Sequence, residues 1–186
     1  MAAASFLQYV RLAYFSKPAS ERPIYRAIRR LKAKSIIEMG VGMGERSKRL
    51  IQVAQRYSGD SQIRFTAVDL FEAREAHDPG WTVKRAHRVL TSHGAKVQVV
   101  PGDPFSALSR TANALKNVDL VVIGADQDDD SLAQAWFYVP RILHEGSRVF
   151  REVEDLKRGR PGFEVLDFNA VEQLAGGSTQ EMRRAA

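Results

Sequence analysis

The chain has 186 residues, 44% of them hydrophobic and 27% charged, with a formal net charge of +6 and no cysteine. That length suits one domain with a substantial core, and the composition is that of a soluble globular protein. The lack of cysteine excludes disulfide staples, thiol nucleophiles and cysteine-ligated zinc, and fits a reducing, cytoplasmic setting. The N-terminal stretch MAAASFLQYVRLAYF has no basic leader region and is interrupted by Arg11, so it is not read as a signal peptide. No apolar run reaches membrane-spanning length. The positive charge raises nucleic acid or an acidic substrate as partners. Arginines scattered along the chain read more simply as a solvated basic surface.

In chain order, residues 5–15 and 20–33 are predicted helices, the second capped by Ser20 and opened by Arg22 and Pro23. Arg26, Arg29, Arg30, Lys32 and Lys34 form the one concentrated basic stretch, most cheaply an exposed helix face. From Ser35 onward, short apolar runs alternate with amphipathic stretches. Strands are predicted at 35–41, 63–71, 96–102, 118–126 and 147–153, with a sixth at 163–168. Helices are predicted at 45–57, at 80–93 stopped by Gly94, at 106–116, and at 131–143 ended by Gly146. A short helix and a tail fraying from Gly176 close the chain. Strict alternation implies right-handed crossovers and a mostly parallel sheet covered on both faces, a three-layer α/β sandwich.

Ligands of such sheets sit beyond the carboxyl ends of the strands. Here the first strand ends in Glu38-Met39-Gly40-Val41-Gly42-Met43-Gly44, the second at Asp69, the third at Gly102-Asp103 and the fourth at Gly124-Ala125-Asp126. Glycines at a strand-to-helix junction let the backbone turn tightly and approach a ligand closely. A dinucleotide fingerprint would need glycine where Glu45 stands, and no Lys-Ser/Thr pair supports a triphosphate loop, so the motif favours a cofactor not held by its phosphates. Taken singly, Asp69 also suits a turn cap, Gly102-Asp103 a turn and Asp126 a helix cap. Their placement at one edge favours function: Asp69 for ribose hydroxyls, Asp103 for an adenine amino group, and Leu70 or Phe71 against the ring.

On these residues, about 35–155 of the chain resembles the class I S-adenosylmethionine-dependent methyltransferases. The resemblance implies a Rossmann-like fold with S-adenosyl-L-methionine as cofactor, held by Glu38, Gly40, Gly42, Gly44, Asp69 and Asp103. The segment VDLVVIGADQ and the following ILHEG are similar to the small O-methyltransferases of the catechol and caffeoyl-CoA type. That group has Asp-Ala-Asp where this chain has Gly124-Ala125-Asp126, and an Asp-Asn pair where this chain runs Arg151-Glu152-Val153-Glu154-Asp155. Two lost ligand positions argue against a Mg²⁺ site. The run Asp126, Asp128, Asp129 and Asp130 is read as a helix start rather than a rebuilt metal site.

Residues 1–34 are thus expected as a helical extension, 35–175 as the cofactor-binding domain with a shortened C-terminal end, and 176–186 as a tail. Asp126 is the best-placed base, and His77 is the histidine on the correct edge. His87, His93 and His144 lie away from it or at a helix end, and Trp81, Trp136, Phe137 and Tyr138 read as core. Substrate cover falls to residues 1–34, the 71–80 loop or a partner subunit in a homodimer. The leading expectation is methyl transfer to oxygen or nitrogen of a small molecule. RNA or protein methylation through the basic helix comes next, then an inactive cofactor-binding domain.

Overall fold

The computed structural model describes residues 4–75, 77–155 and 160–184. Six strands form one sheet: β1 (Ser35–Met39), β2 (Arg64–Asp69), β3 (Lys96–Pro101), β4 (Val118–Ile123), β5 (Leu143–Asp155) and β6 (Arg160–Leu166). Their order is β3-β2-β1-β4-β5-β6. Every neighbouring pair is parallel except β5 with β6, which run antiparallel from Val149 opposite Leu166 to Asp155 opposite Arg160. The order reverses between β1 and β4, and the carboxyl ends at such a switch point are where sheets of this kind bind ligands.

The helices are α1 (Phe6–Val10), continued as a π-helical turn through Phe15, then α2 (Arg22–Leu31), α3 (Glu45–Tyr57), α4 (Val83–Ser92), α5 (Pro104–Thr111), α6 (Asp129–Ala135), α7 (Val139–Ile142) and α8 (Phe168–Arg184). The period-2 alternation of the strands sorts the core into two layers. Ile36, Phe65, Ala67, Leu120, Val122 and Phe150 point one way, against Tyr9, Leu12, Tyr25, Ile28, Leu50 and Leu90 of the N-terminal segment and α2–α4. Ile37, Met39, Val68, Val121, Ile123 and Val149 point the other way, against Leu108, Leu132, Val139, Ile142 and Val171 of α5–α8. Residues 4–31 therefore share a core with the sheet.

Several expected boundaries shift, each for a local reason. Ser20 does not cap α2; it lies in a 3₁₀ turn, Ala19–Glu21, and Glu21 occupies the cap position. The helix expected from residue 80 starts at Val83, because Thr82 accepts from the Arg85 N–H and sets the start. Asp103 caps α5, so that helix begins at Pro104 and stops at Thr111 rather than running to 116. The helix expected over 131–143 is two, separated at Trp136–Tyr138, with Pro140 opening the second. Gly146 ends no helix: it lies within β5, where the register against β4 slips between Val118 and Leu120. His144 is on the same strand, its Nε2 3.0 Å from Asp119 Oδ1. The short closing helix expected before Gly176 is longer, since α8 continues to Arg184.

Candidate functional site at the carboxyl ends of β1, β2 and β4

The glycine loop connects β1 to α3 with Gly40, Gly42 and Gly44 all at positive φ, between +52° and +85°. Their surroundings differ. A methyl group on Gly40 would run into the carboxylate of Asp126, and one on Gly44 into the indole of Trp81. At Gly42 nothing lies within 4 Å of where a Cβ would stand. The loop is thus packed at both ends and open in the middle, where backbone is exposed to a ligand. Its Gly42 N–H donates to Asp69 Oδ2 at 2.8 Å, stitching the end of β1 to the end of β2.

Glu38 is fully buried on β1 and accepts from Arg46 Nε at 2.6 Å and from the Ser47 hydroxyl, both in the first turn of α3. Arg46 also donates to the Gly40 carbonyl at 3.0 Å and to Glu152 of β5 at 3.1 Å. Burial pushes the Glu38 carboxyl above the usual range, opposed by Arg46 and Ser47. Burial disfavours the charge on Arg46 as well, but Glu38 and Glu152 outweigh it and hold the guanidinium above its ordinary value. Glu38 therefore braces the loop through Arg46, with its oxygens turned to α3.

Asp69, 3% exposed, is gripped by Arg74 through two bonds, Nε to Oδ1 at 2.7 Å and Nη2 to Oδ2 at 2.9 Å. Burial works against its ionisation, but Arg74 and the N–H groups of Gly42 and Phe71 hold its carboxyl below the usual range. Nη2 of Arg74 reaches Asp126 Oδ2 at 3.0 Å, and its Nη1 contacts Asp78. One guanidinium thus spans the ends of β2 and β4. The segment carrying it lies over the loop: the backbone N–H of Trp81 donates to the Gly42 carbonyl at 3.2 Å, and the Trp81 ring packs on Gly44.

Asp126 does not cap the following helix. That role belongs to Asp128, which accepts from the Ser131 N–H at 2.7 Å. Asp126 is exposed, and its second oxygen accepts from Gln127 Nε2 at 2.8 Å. Leu70, 40% exposed, stands beside Asp69, while Phe71 is buried at 3%. Gly102 donates to the Asp69 carbonyl at 2.8 Å, which brings the end of β3 to the same edge. Asp103, however, is occupied as the α5 cap. It accepts from the Ser106 N–H at 3.0 Å, the Ser106 hydroxyl at 2.6 Å and the Ser131 hydroxyl, three of a carboxylate's roughly four acceptor sites. Those donors outweigh burial and hold its carboxyl down to about 2. His77 is exposed, 3.5 Å from Glu75. Among the described residues, no group of three or more His, Asp or Glu side chains is placed to hold a metal ion.

Sequence reasoning missed Arg46, Arg74 and Gln127; Trp81, read as core, is buried at 4% and also packs on the loop. Arg46 stands two residues after the loop's last glycine and Arg74 five after Asp69, so proximity in sequence was the only signal available.

No family model and no curated protein matches the chain. Solved structures do. TomG of Streptomyces achromogenes, an O-methyltransferase involved in tomaymycin synthesis and solved with S-adenosylmethionine, aligns with 94% of this chain and 71% of its own at 14% identity and a TM-score of 0.56. A proposed O-methyltransferase of Klebsiella pneumoniae aligns with 97% of this chain and 76% of its own at 18% identity and a TM-score of 0.54. Against an O-methyltransferase family protein of Burkholderia thailandensis the chain spans 38% of that protein's length. With the strand order above, the likeness to the first two establishes the fold: a class I methyltransferase fold, Rossmann-like, with one antiparallel strand closing the sheet after β5.

Proposed function

We propose that the chain transfers a methyl group from S-adenosyl-L-methionine to an oxygen or nitrogen of a small-molecule acceptor, without a metal ion. The observation carrying this reading is the meeting of Gly42 and Asp69. An unobstructed stretch of backbone and a buried carboxylate are joined at 2.8 Å at the crevice edge of the fold.

The residues fit the cofactor unevenly. The open centre of the loop at Gly42 suits its amino-acid and ribose portion, and Asp69, whose oxygens here accept from Gly42, Phe71 and twice from Arg74, suits the ribose hydroxyls in the place of Arg74. Leu70 offers an exposed apolar face beside them for the adenine, which buried Phe71 does not. Glu38 would act from behind, keeping the loop in shape through Arg46. Asp103 has one acceptor site left for the adenine amino group.

The bound cofactor supplies a sulfonium methyl for direct displacement; the protein must align the acceptor and remove its proton. Asp126 Oδ2 is the atom to take that proton, once it is released from Arg74. The same guanidinium holds Asp69 and Asp126, so Arg74 would have to withdraw from both carboxylates for Asp69 to accept ribose hydroxyls and for Asp126 to act as the base. The test is transfer of a radiolabelled methyl group to a panel of phenols, alcohols and amines. Transfer by the wild type, lost about 100-fold or more in Asp126→Asn, is the expected result for a positioned base. The tie of both carboxylates to Arg74 also favours a second reading, a domain that binds the cofactor without turnover. Cofactor binding with no transfer to any acceptor would select it.

A further inference from the structure

The formal charge of +6 is not spread along the chain. Residues 1–57 hold twelve lysines and arginines against three glutamates, and the remainder holds sixteen against nineteen acidic residues. Of those three glutamates, Glu38 is consumed by Arg46, and Glu21 is buried against Tyr25 and Arg49. The N-terminal layer therefore faces solvent with a surplus of cations, while the other two thirds of the chain is net negative.

The surplus has a shape. A cleft of about 770 Å³ opens between the N-terminal segment, α3 and α4. Its walls carry Arg11, Lys17, Lys48 and Arg49 against the single carboxylate of Glu45, with the ring of Phe15 beside them. Lys48 and Arg49 have acidic partners in Glu45 and Glu21, but Arg11 and Lys17 form no side-chain hydrogen bond or ion pair among the described residues. Phe15 is 72% exposed, a poor position for a large aromatic ring with nothing to cover it. Outside the cleft the same layer repeats the combination: Arg26 lies over Tyr14 at 5.9 Å and Arg56 over Phe6 at 5.9 Å.

We propose that this N-terminal face is a binding groove for single-stranded nucleic acid. Phosphates would be tracked by Arg11, Lys17, Lys48 and Arg49, and a base would stack on Phe15. Such grooves combine a basic track with aromatic platforms, because a strand presents repeating charge and flat apolar faces together. A small anion would have no use for the cations beyond the cleft, at Arg26, Arg30, Lys32 and Arg56. A second copy bound about a two-fold axis would bring the same positive layer against itself. The inference does not rest on methyl transfer and survives if the protein transfers none.

The test is fluorescence anisotropy of a labelled oligouridine of about 12 nucleotides, titrated with the full chain between about 50 and 200 mM salt. Two to four phosphates neutralised on a single strand give a slope of log affinity against log salt of about −1.4 to −2.8. The double variant Arg11→Glu/Lys17→Glu is expected to bind at least tenfold more weakly, and Phe15→Ala several-fold more weakly. Lys96→Glu/Lys116→Glu, the same charge change on other exposed lysines, is expected to stay within twofold. Circular dichroism checks each fold. Should the double variant not fold, the wild-type slope and Phe15→Ala still decide. No binding at the lowest salt overturns the proposal, as does equal loss in the two charge-reversed pairs. Complete displacement of the oligonucleotide by millimolar inorganic phosphate would point instead to a small-anion site. Capture by anionic phospholipid vesicles without oligonucleotide binding would point to a membrane surface.

Discussion

Two arginine-rich regions of this molecule treat their cations in opposite ways. At the carboxyl ends of β1, β2 and β4, the arginines are matched to carboxylates: Arg46 to Glu38 and Glu152, and Arg74 to Asp69, Asp78 and Asp126. On the N-terminal face, Arg11 and Lys17 line an open cleft and have no acidic partner among the described residues. Matched charges in a buried setting fix geometry, and removing one partner strands the other. Unmatched charges at the surface cost the fold little and remain free for a ligand. The first region is thus built to hold a shape, the second to meet something negative.

The largest expected effect tests the matched side. Glu38→Gln leaves the Arg46 guanidinium, mostly buried, without its main partner. It should lower stability by about 3–5 kcal/mol in urea unfolding. A loss under about 1 kcal/mol would mean that the pair is not what fixes the loop. Next comes Gly42→Ala. Nothing obstructs the new methyl, so only the left-handed backbone is penalised, by about 1–2 kcal/mol. Its effect on cofactor binding should far exceed its effect on the fold.

Arg74→Gln sharpens the comparison from the ligand's side. If the guanidinium sits where a ribose diol belongs, its removal should tighten S-adenosylmethionine binding about three- to tenfold, roughly 0.7–1.4 kcal/mol. Weakened binding would show instead that Arg74 helps to hold the ligand. A smaller effect should appear with pH. Asp103 titrates near 2 in the folded chain against an ordinary 3.8. A depressed carboxyl contributes stability that is complete above about 3.8 and lost as the pH falls towards 2. Melting temperatures followed across that window should decline less steeply in Asp103→Asn than in the wild type. The smallest effect belongs to the unmatched side. Arg11→Glu/Lys17→Glu should move stability by no more than about 0.5 kcal/mol, since both side chains are exposed and unpaired among the described residues.

Much of the architecture was legible because it is periodic. Unbroken apolar runs in Ile36-Ile37 and Leu120-Val121-Val122-Ile123 mark strands covered on both faces, and glycines at a strand end mark the ligand edge. What escaped the sequence was pairing between distant or ambiguous groups. Three consecutive aspartates, Asp128, Asp129 and Asp130, follow Asp126, and nothing in their order tells which one caps α6. Arg74 looks like any surface arginine until the turn after Asp69 folds it back over that carboxylate. Asp103 shows the reverse: its cap role and its cofactor role share one position, and the structure gives most of the carboxylate to the cap. The basic face was hidden for a similar reason, since Arg11, Lys17, Lys48 and Arg49 lie far apart in the chain and meet only when α3 packs on the N-terminal segment.

The most direct test of the central claim is calorimetric titration of the purified chain with S-adenosyl-L-methionine, beside Gly42→Arg and Asp69→Asn. The account expects micromolar-range binding by the wild type, abolished in both variants while circular dichroism shows the fold retained. A well-folded wild type that takes up no cofactor would contradict it, leaving a class I methyltransferase fold put to another use.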